Sequence, residues 1–426
     1  MPASRAGTAT SASRAPERAR ISCYVAHLTN AGTAVRRLAL GSALGATGWS
    51  AAGIALSAEV FERTGSAVWL SFSFFLSFGI VGLLHPVAGA ISDRYDRKRV
   101  MVVSELASAA VWLLLIPVDA PTGLLALGFF GSLTAAPLRT AVPAAVPNIV
   151  GGEDLNRANA SLAVGRNIGR IAGPAIGGAA FVWVGPDALY GANAATMIAT
   201  AVLIASIQAP FSSRGADGTQ GDGSGMAVWD GLRHLWGDPA TRSLFVVWVL
   251  LYLTVDVALV ADLPIAEEFG WGSFGYGLIA TASGVGALLG SIAARKITEP
   301  FEPWAVLTGA AGIGVGYLVV ALAPVFAFVL FGNFLWAALD AGDGVAGTSI
   351  FQRRTPDEIR GRVFGAVGMG GLLANAIGFT FAGFLVDAAG PKATYAICGI
   401  ASFLVIPLLI PMFRALAAMQ AAETEP

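Results

Sequence analysis

Arg139, Asp256, Asp340 and Asp343 each fall inside a long apolar run of this sequence. Ionisable groups in hydrocarbon are expensive, so their presence there points to function. The chemistry open to them is proton exchange. Apolar surroundings favour a neutral carboxylic acid and a neighbouring arginine favours the carboxylate, so an aspartate moved between the two takes up and releases a proton. Asp340 and Asp343 lie three residues apart, on one face of a helix. Arg139 shifted by 203 positions falls on Gly342, which makes it the positional counterpart of that acidic pair. A second concentration of charge runs from Gly89 to Arg99, where Asp93, Arg94, Asp96, Arg97, Lys98 and Arg99 crowd between two apolar runs. It reads as a loop pinned to one membrane face. The structural alternatives are ion pairs near a watery mouth for the first group and a solvated, topology-setting loop for the second.

The elements that must position these groups are membrane helices. Of 426 residues, 55% are hydrophobic and only 12% charged, against roughly 25% charged in a soluble domain, and mean hydropathy is +0.69. A water-soluble globular fold is excluded. A crossing needs about 20 mainly apolar residues, and twelve such spans are available: 38 to 61, 67 to 90, 100 to 118, 121 to 145, 160 to 184, 187 to 209, 243 to 263, 273 to 294, 303 to 323, 324 to 347, 364 to 387 and 391 to 413. With both termini inside, 21 of the 26 Lys and Arg fall in cytoplasmic segments, Arg139, Arg166 and Arg170 fall near the cytoplasmic ends of spans, and Arg63 and Lys392 fall outside. That bias fixes the orientation. The net charge of −1 carries no information about partners.

Residues 1 to 34 read as a disordered cytoplasmic tail without the apolar core of a signal peptide. Residues 211 to 240 read as a cytoplasmic linker, Gly/Ser/Asp-rich and then amphipathic around Trp229 and Trp236, and 416 to 426 as a short tail. Cys23 and Cys398 imply no disulfide framework. Two helical bundles, 35 to 210 and 241 to 415, repeat one another. Glu59 matches Asp262 at an offset of 203, Gly185-Pro186 matches Gly390-Pro391 at 205, and Gly89/Arg94 matches Gly290/Arg295 at 201. Six spans separate the copies, an even number, so both have the same orientation. The expectation is an all-α integral membrane protein.

The loop between the second and third spans resembles the signature G-x-x-x-D-[RK]-x-G-[RK]-[RK] of the major facilitator superfamily, met by Gly89, Asp93, Arg94, Arg97 and Lys98, with Asp96 where that family has Gly. Glu153 to Ala160 and Arg360 to Gly365 are similar to the bacterial branch that contains the enterobactin exporter and related efflux proteins. The resemblance covers about residues 35 to 415. It implies twelve helices in two six-helix bundles, alternating access, and a cytoplasmic latch made by the motif's acid and bases, with Gly89 allowing close helix approach. It also implies that the first, fourth, seventh and tenth helices line the cavity, so that Arg139 faces Asp340 and Asp343 there. Gly165, Gly169, Gly173, Pro174, Gly177 and Gly178 resemble the fifth-helix signature of the superfamily's antiporters.

The function expected from these residues is proton-coupled efflux of a small amphiphilic molecule, such as a drug, secondary metabolite or siderophore, from the plasma membrane. Asp256 would be a protonation site. An importer or uniporter, and a receptor or assembly factor on the same scaffold, are the alternatives. No lysine follows a glycine, so no nucleotide-binding P-loop is present. The expected partners are a small-molecule substrate, protons and the lipid bilayer around a monomer, with no nucleic acid, cofactor, metal or catalytic constellation.

Overall fold

With no water to satisfy backbone polar groups, an apolar chain of this kind resolves them within helices. A computed structural model describes the backbone of residues 14–150, 155–211, 225–356 and 359–424, with side chains described except at 14–31, Leu83, His85, Pro86, Asp93, Asn156, 225–228 and 419–424. The helices in chain order are α1 (Arg14–Thr64), α2 (Ala67–Phe74), a π-helical turn (Phe75–Ile80), α3 (Val81–Leu83), α4 (His85–Arg94), α5 (Arg97–Leu115), α6 (Pro121–Ile149) and α7 (Leu155–Ala205). They continue as α8 (Gly225–Gly237), α9 (Pro239–Glu268), α10 (Gly272–Ala294), α11 (Glu302–Ala321), α12 (Phe326–Arg354), α13 (Arg360–Ala389), α14 (Pro391–Val405) and α15 (Ile410–Thr424). Among the described residues there is no strand, and nine helices are long and apolar enough to cross a membrane.

The helix ends follow from local chemistry. Ser66, Asp96 and Asp238 accept backbone N–H groups at the starts of α2, α5 and α9. Proline occupies the first turn of α6, α9 and α14, where its missing N–H costs nothing. Within α7, Gly185 adopts φ 77° and ψ 175°, a backbone that side chains disfavour. The contacts on either side run in opposite directions: Gly165 and Gly177 meet Ala39 and Ala51 of α1, whereas Asn193 and Thr200 meet Gly48 and Gly41. The chain therefore reverses at Gly185, and α7 is two antiparallel arms on either side of α1. Gly390 has the same conformation, φ 83° and ψ 163°. There too Gly370 and Gly378 of α13 meet Phe245 and Asp256 of α9 in ascending order, and Tyr395, Ser402 and the Leu408 carbonyl meet Asp262, Thr254 and Ser243 in descending order.

Helices α1, α5, α6 and α7 pack on one another as an N-terminal set, and α9 to α15 as a C-terminal set. They join through α7 with α10, and α2 with α13. Thr281 Oγ1 donates to the Ile171 carbonyl at 3.3 Å midway along the seam, and the other hydrogen bonds across it gather at the end carrying Gly65, Gly185, Gly270 and Gly390. Ser66 Oγ and the Ala67 N–H both donate to Asp387, each at 2.7 Å. Ser71 Oγ donates to the Phe379 carbonyl and accepts the Gly383 N–H, and Ser273 Oγ donates to Glu62 at 3.4 Å.

Both tails carry helix where they are described. Residues 14–34 continue α1 and 416–424 belong to α15, because their Ala, Glu, Arg and Leu residues are good helix formers attached to an existing helix. Residues 1–13 and 425–426 lie outside the described residues, as does the linker stretch 212–224. The expected amphipathic helix is α8, which seats Gly231 directly on the Arg362 and Val363 backbone and pairs Asp230 with Arg362 at 2.9 Å.

Candidate functional site

Between the two sets lies a cavity of about 570 Å³, walled by the first arm of α7 and by α9, α10 and α12. Its charged lining is Arg170, Asp262 and Asp340, accompanied by Tyr317, Asn333, Trp336 and Tyr395. Asp262 is buried and accepts the Tyr395 hydroxyl. The N-terminal set repeats this arrangement: Glu59 is buried, accepts the Tyr190 hydroxyl and binds Arg63 at 2.5 Å. Aromatic backing repeats as well, since Trp112 packs on Tyr190 at 5.5 Å and Tyr317 on Tyr395 at 5.4 Å, centroid to centroid. The copies differ in surroundings. Asp262 faces the cavity, whereas Glu59 is closed off by Arg63, which also reaches Asp119 at 3.1 Å.

The expected charge cluster comes together only in part. Asp340 lines the cavity. Asp343 lies one helical turn further on and points elsewhere: it is 2% exposed, accepts both of its bonds from Trp248 Nε1 at 3.0 and 3.1 Å, and presses on Gly309 of α11. Arg139 stacks over the Trp49 ring at 5.0 Å and is absent from the cavity lining, so Arg170 is the arginine that shares the space with Asp340. Asp256 is buried against α13, where the hydrogen-bonding surroundings turn the Asn375 amide nitrogen toward its Oδ2 at 2.7 Å.

In the charged loop, Arg97 donates to the Ala144 carbonyl at 2.9 Å and Lys98 to the Ile207 carbonyl at 2.8 Å, both within the N-terminal set. Arg94 rests over Tyr95. The side chains of Asp93 and His85 lie outside the described residues. Two expectations change. Among the described residues nothing lies within 4 Å of where a Gly89 Cβ would stand, so the close helix approach expected there is not seen. Asp96 caps α5 by accepting the Arg99 N–H at 2.9 Å, which explains an acid among bases.

The glycine stripe of α7 serves close approach. A Cβ at Gly165, Gly169 or Gly173 would lie 2.6 Å from backbone or Cβ atoms of α1, and Gly177 is equally tight on Ala51. Of these motif residues, Gly178 and the Pro174 carbonyl meet the other set, against Gly277 of α10. The glycines thus seat this arm mainly on α1, while its opposite side, with Ile171, Pro174 and Gly178, packs across the seam on α10. Sequence reasoning passed over Arg170 as a cavity residue and missed the partner tyrosines of Glu59 and Asp262. The signal for the tyrosines was available, because Tyr190 and Tyr395 stand at the same 205 offset as the Gly-Pro turns.

Comparison with known proteins places this geometry. A family described as transmembrane secretion effector matches residues 36–367. The chain belongs to that family, within the major facilitator superfamily. Among curated relatives, the multidrug efflux pump Tap of Mycolicibacterium fortuitum is 26% identical over 379 residues, 84% of this chain and 90% of that protein. The enterobactin exporter EntS of Escherichia coli is 24% identical over 369 residues, covering 84% and 86%. In fold, the chain matches a bacterial homologue of the lysosomal transporter Spinster with a TM-score of 0.69 at 14% identity, covering 91% and 97%. A bacterial homologue of the iron transporter ferroportin matches with 0.69 at 17%, covering 89% and 98%; both titles describe inward-facing states. The secretion effector chain is thus a multi-pass membrane protein of the transporter class.

Proposed function

We propose that this chain is a proton-coupled exporter of a small amphiphilic molecule, working by alternating access between two six-helix bundles in the plasma membrane, as a monomer with both termini cytoplasmic. The helix tally supports twelve crossings: nine helices qualify by length and composition, the arms of α7 count twice, and the broken run 67–94 and the more charged α5 add two. The observation that carries the reading is the cavity between the sets, mid-depth along α7 and α12, where Arg170 and Asp340 share one apolar and aromatic chamber. Most of the seam hydrogen bonds lie at the end opposite the charged loop, which suits an inward-facing state. The aromatic and aliphatic walls suit the apolar body of a substrate, and Asp340 suits a cationic or hydrogen-bonding group. When a proton neutralises Asp340 the substrate loses its counter-charge, and the two compete for one site. The loop from Gly89 to Lys98 would act as the cytoplasmic latch in the opposite state, with Asp256 a further protonation site. Efflux by the relatives Tap and EntS favours export over import. Inverted and right-side-out vesicles separate the directions: accumulation of a fluorescent cationic amphiphile in inverted vesicles is expected, and accumulation only in right-side-out vesicles would overturn export.

A further inference from the structure

The core of the N-terminal set holds an acid that the cavity does not use. Glu105 of α5 is 4% exposed and makes no hydrogen bond or ion pair to any described residue. It stands eight residues into α5, about 12 Å from the charged end at 1.5 Å per residue. Charged side chains of the neighbouring helices are engaged or directed elsewhere. On α1, Glu59 pairs with Arg63, Arg37 donates to the Ser206 carbonyl, Glu62 meets Ser273 and Arg36 is exposed. Arg94 of α4 lies over Tyr95 and Arg139 of α6 over Trp49. On α7, Arg170 lines the cavity, and Arg157, Arg166 and Asp187 are exposed. Isolation in apolar surroundings makes a charged carboxylate costly.

A second observation points to something bound beside it. Asn193, on the second arm of α7, is 1% exposed, and neither its amide nitrogen nor its amide oxygen has a hydrogen-bond partner. Trp112 Nε1, on the Glu105 helix, is orphaned too. Buried polar atoms are normally satisfied by protein or ordered water, so orphans of both donor and acceptor type mark a place for water. Trp112 Nε1 faces Gly131 of α6, whereas Glu105 and Asn193 share a column along the glycine face of α1. Asn193 Oδ1 and Thr196 Oγ1 crowd Gly48, and one turn on, Glu105 Oε1 and Thr200 Oγ1 each lie 3.9 Å from where a Gly45 Cβ would stand. The column has no copy in the other half, where the 205 offset puts Ala310 and Cys398 opposite Glu105 and Asn193.

We propose that Glu105 is a second proton-exchange site, in the core of the N-terminal set and separate from the central cavity, with Asn193 and Thr200 holding the water that reaches it. It rests on the transporter reading only for its purpose, as a store for a coupling proton. The exchange is simple: the Glu105 carboxyl gives its proton to a column water and recovers it from one.

Infrared spectroscopy of the purified full-length chain tests this without any transport assay. The wild type minus Glu105→Gln difference spectrum is expected to show a protonated-carboxyl band that disappears as pH rises, buried glutamates titrating up to about pH 8 to 9. A band that persists at every pH, or one absent at every pH, would overturn the proposal, because the group would then be locked neutral or locked charged. Should Glu105→Gln fail to fold, Asn193→Val provides the second reading. It is expected to move the midpoint of that band by about one unit, and an unmoved midpoint would remove Asn193 and its water from the site. A band that titrates in protein that moves no substrate in liposomes would overturn the transport reading and leave this one standing.

Discussion

Asp96 changes meaning between the sequence and the structure. As a motif position it was an anomaly; as a side chain it is the N-cap of α5, accepting the Arg99 N–H. Asp96→Ala is expected to cost about 1 kcal/mol, the usual worth of a cap, read as a lowered melting temperature in detergent with substrate binding intact. Residue type marked Asp340 as an acid inside a span and the family resemblance turned its helix toward a cavity, which it lines, yet the three-residue spacing suggested that Asp343 would join it. A step of three residues turns a helix by about 300° at 3.6 residues per turn, enough to hand Asp343 to Trp248 instead. The true place of Arg139, over Trp49 and away from those acids, was likewise illegible, because it depends on depth and rotation that a sequence offset does not encode.

Elements divide into those the sequence names by composition and those it names by punctuation. The long apolar helices belong to the first kind, and the reversals at Gly185 and Gly390 to the second, since a Gly-Pro pair at equivalent positions is readable as a turn before any contact is known. What could not be read is which neighbour each face meets. The α7 glycine stripe was legible as a close-packing surface and proved to pack on α1. Gly173→Leu is expected to destabilise the N-terminal set by roughly 3 kcal/mol or more, at the upper end for overpacking, seen as lost monodisperse protein in size-exclusion chromatography. The junction of α8 and α9 is held by Asp238, which binds Arg354 at 2.5 and 2.7 Å while capping α9. Partial burial pushes the Asp238 carboxyl up, but the Arg354 guanidinium and the Ala240 and Thr241 amides outweigh it and hold the group below its ordinary value. A depressed carboxylate contributes its stability above the unfolded value, about 3.9, and loses it as pH falls through the folded one. The wild type minus Asp238→Asn difference in melting temperature should therefore be level from about pH 5 upward and shrink only below about pH 4.

At the scale of the whole molecule, two repeated sets meet along a seam whose hydrogen bonds gather at one end. Asp387 is central to that clasp through Ser66 and Ala67. Asp387→Ala is expected to loosen it, and spin labels at Thr64 and Ala388 should report a broader, longer distance distribution than in the wild type. An unchanged distribution would mean that the apolar seam alone closes this end. The account as a whole stands on flux. Purified protein in liposomes with an imposed pH gradient is expected to drive a fluorescent cationic amphiphile against its own gradient, and the Asp340→Asn, Asp343→Asn double variant is expected to lose that coupling. Full gradient-driven transport by the double variant would contradict the account.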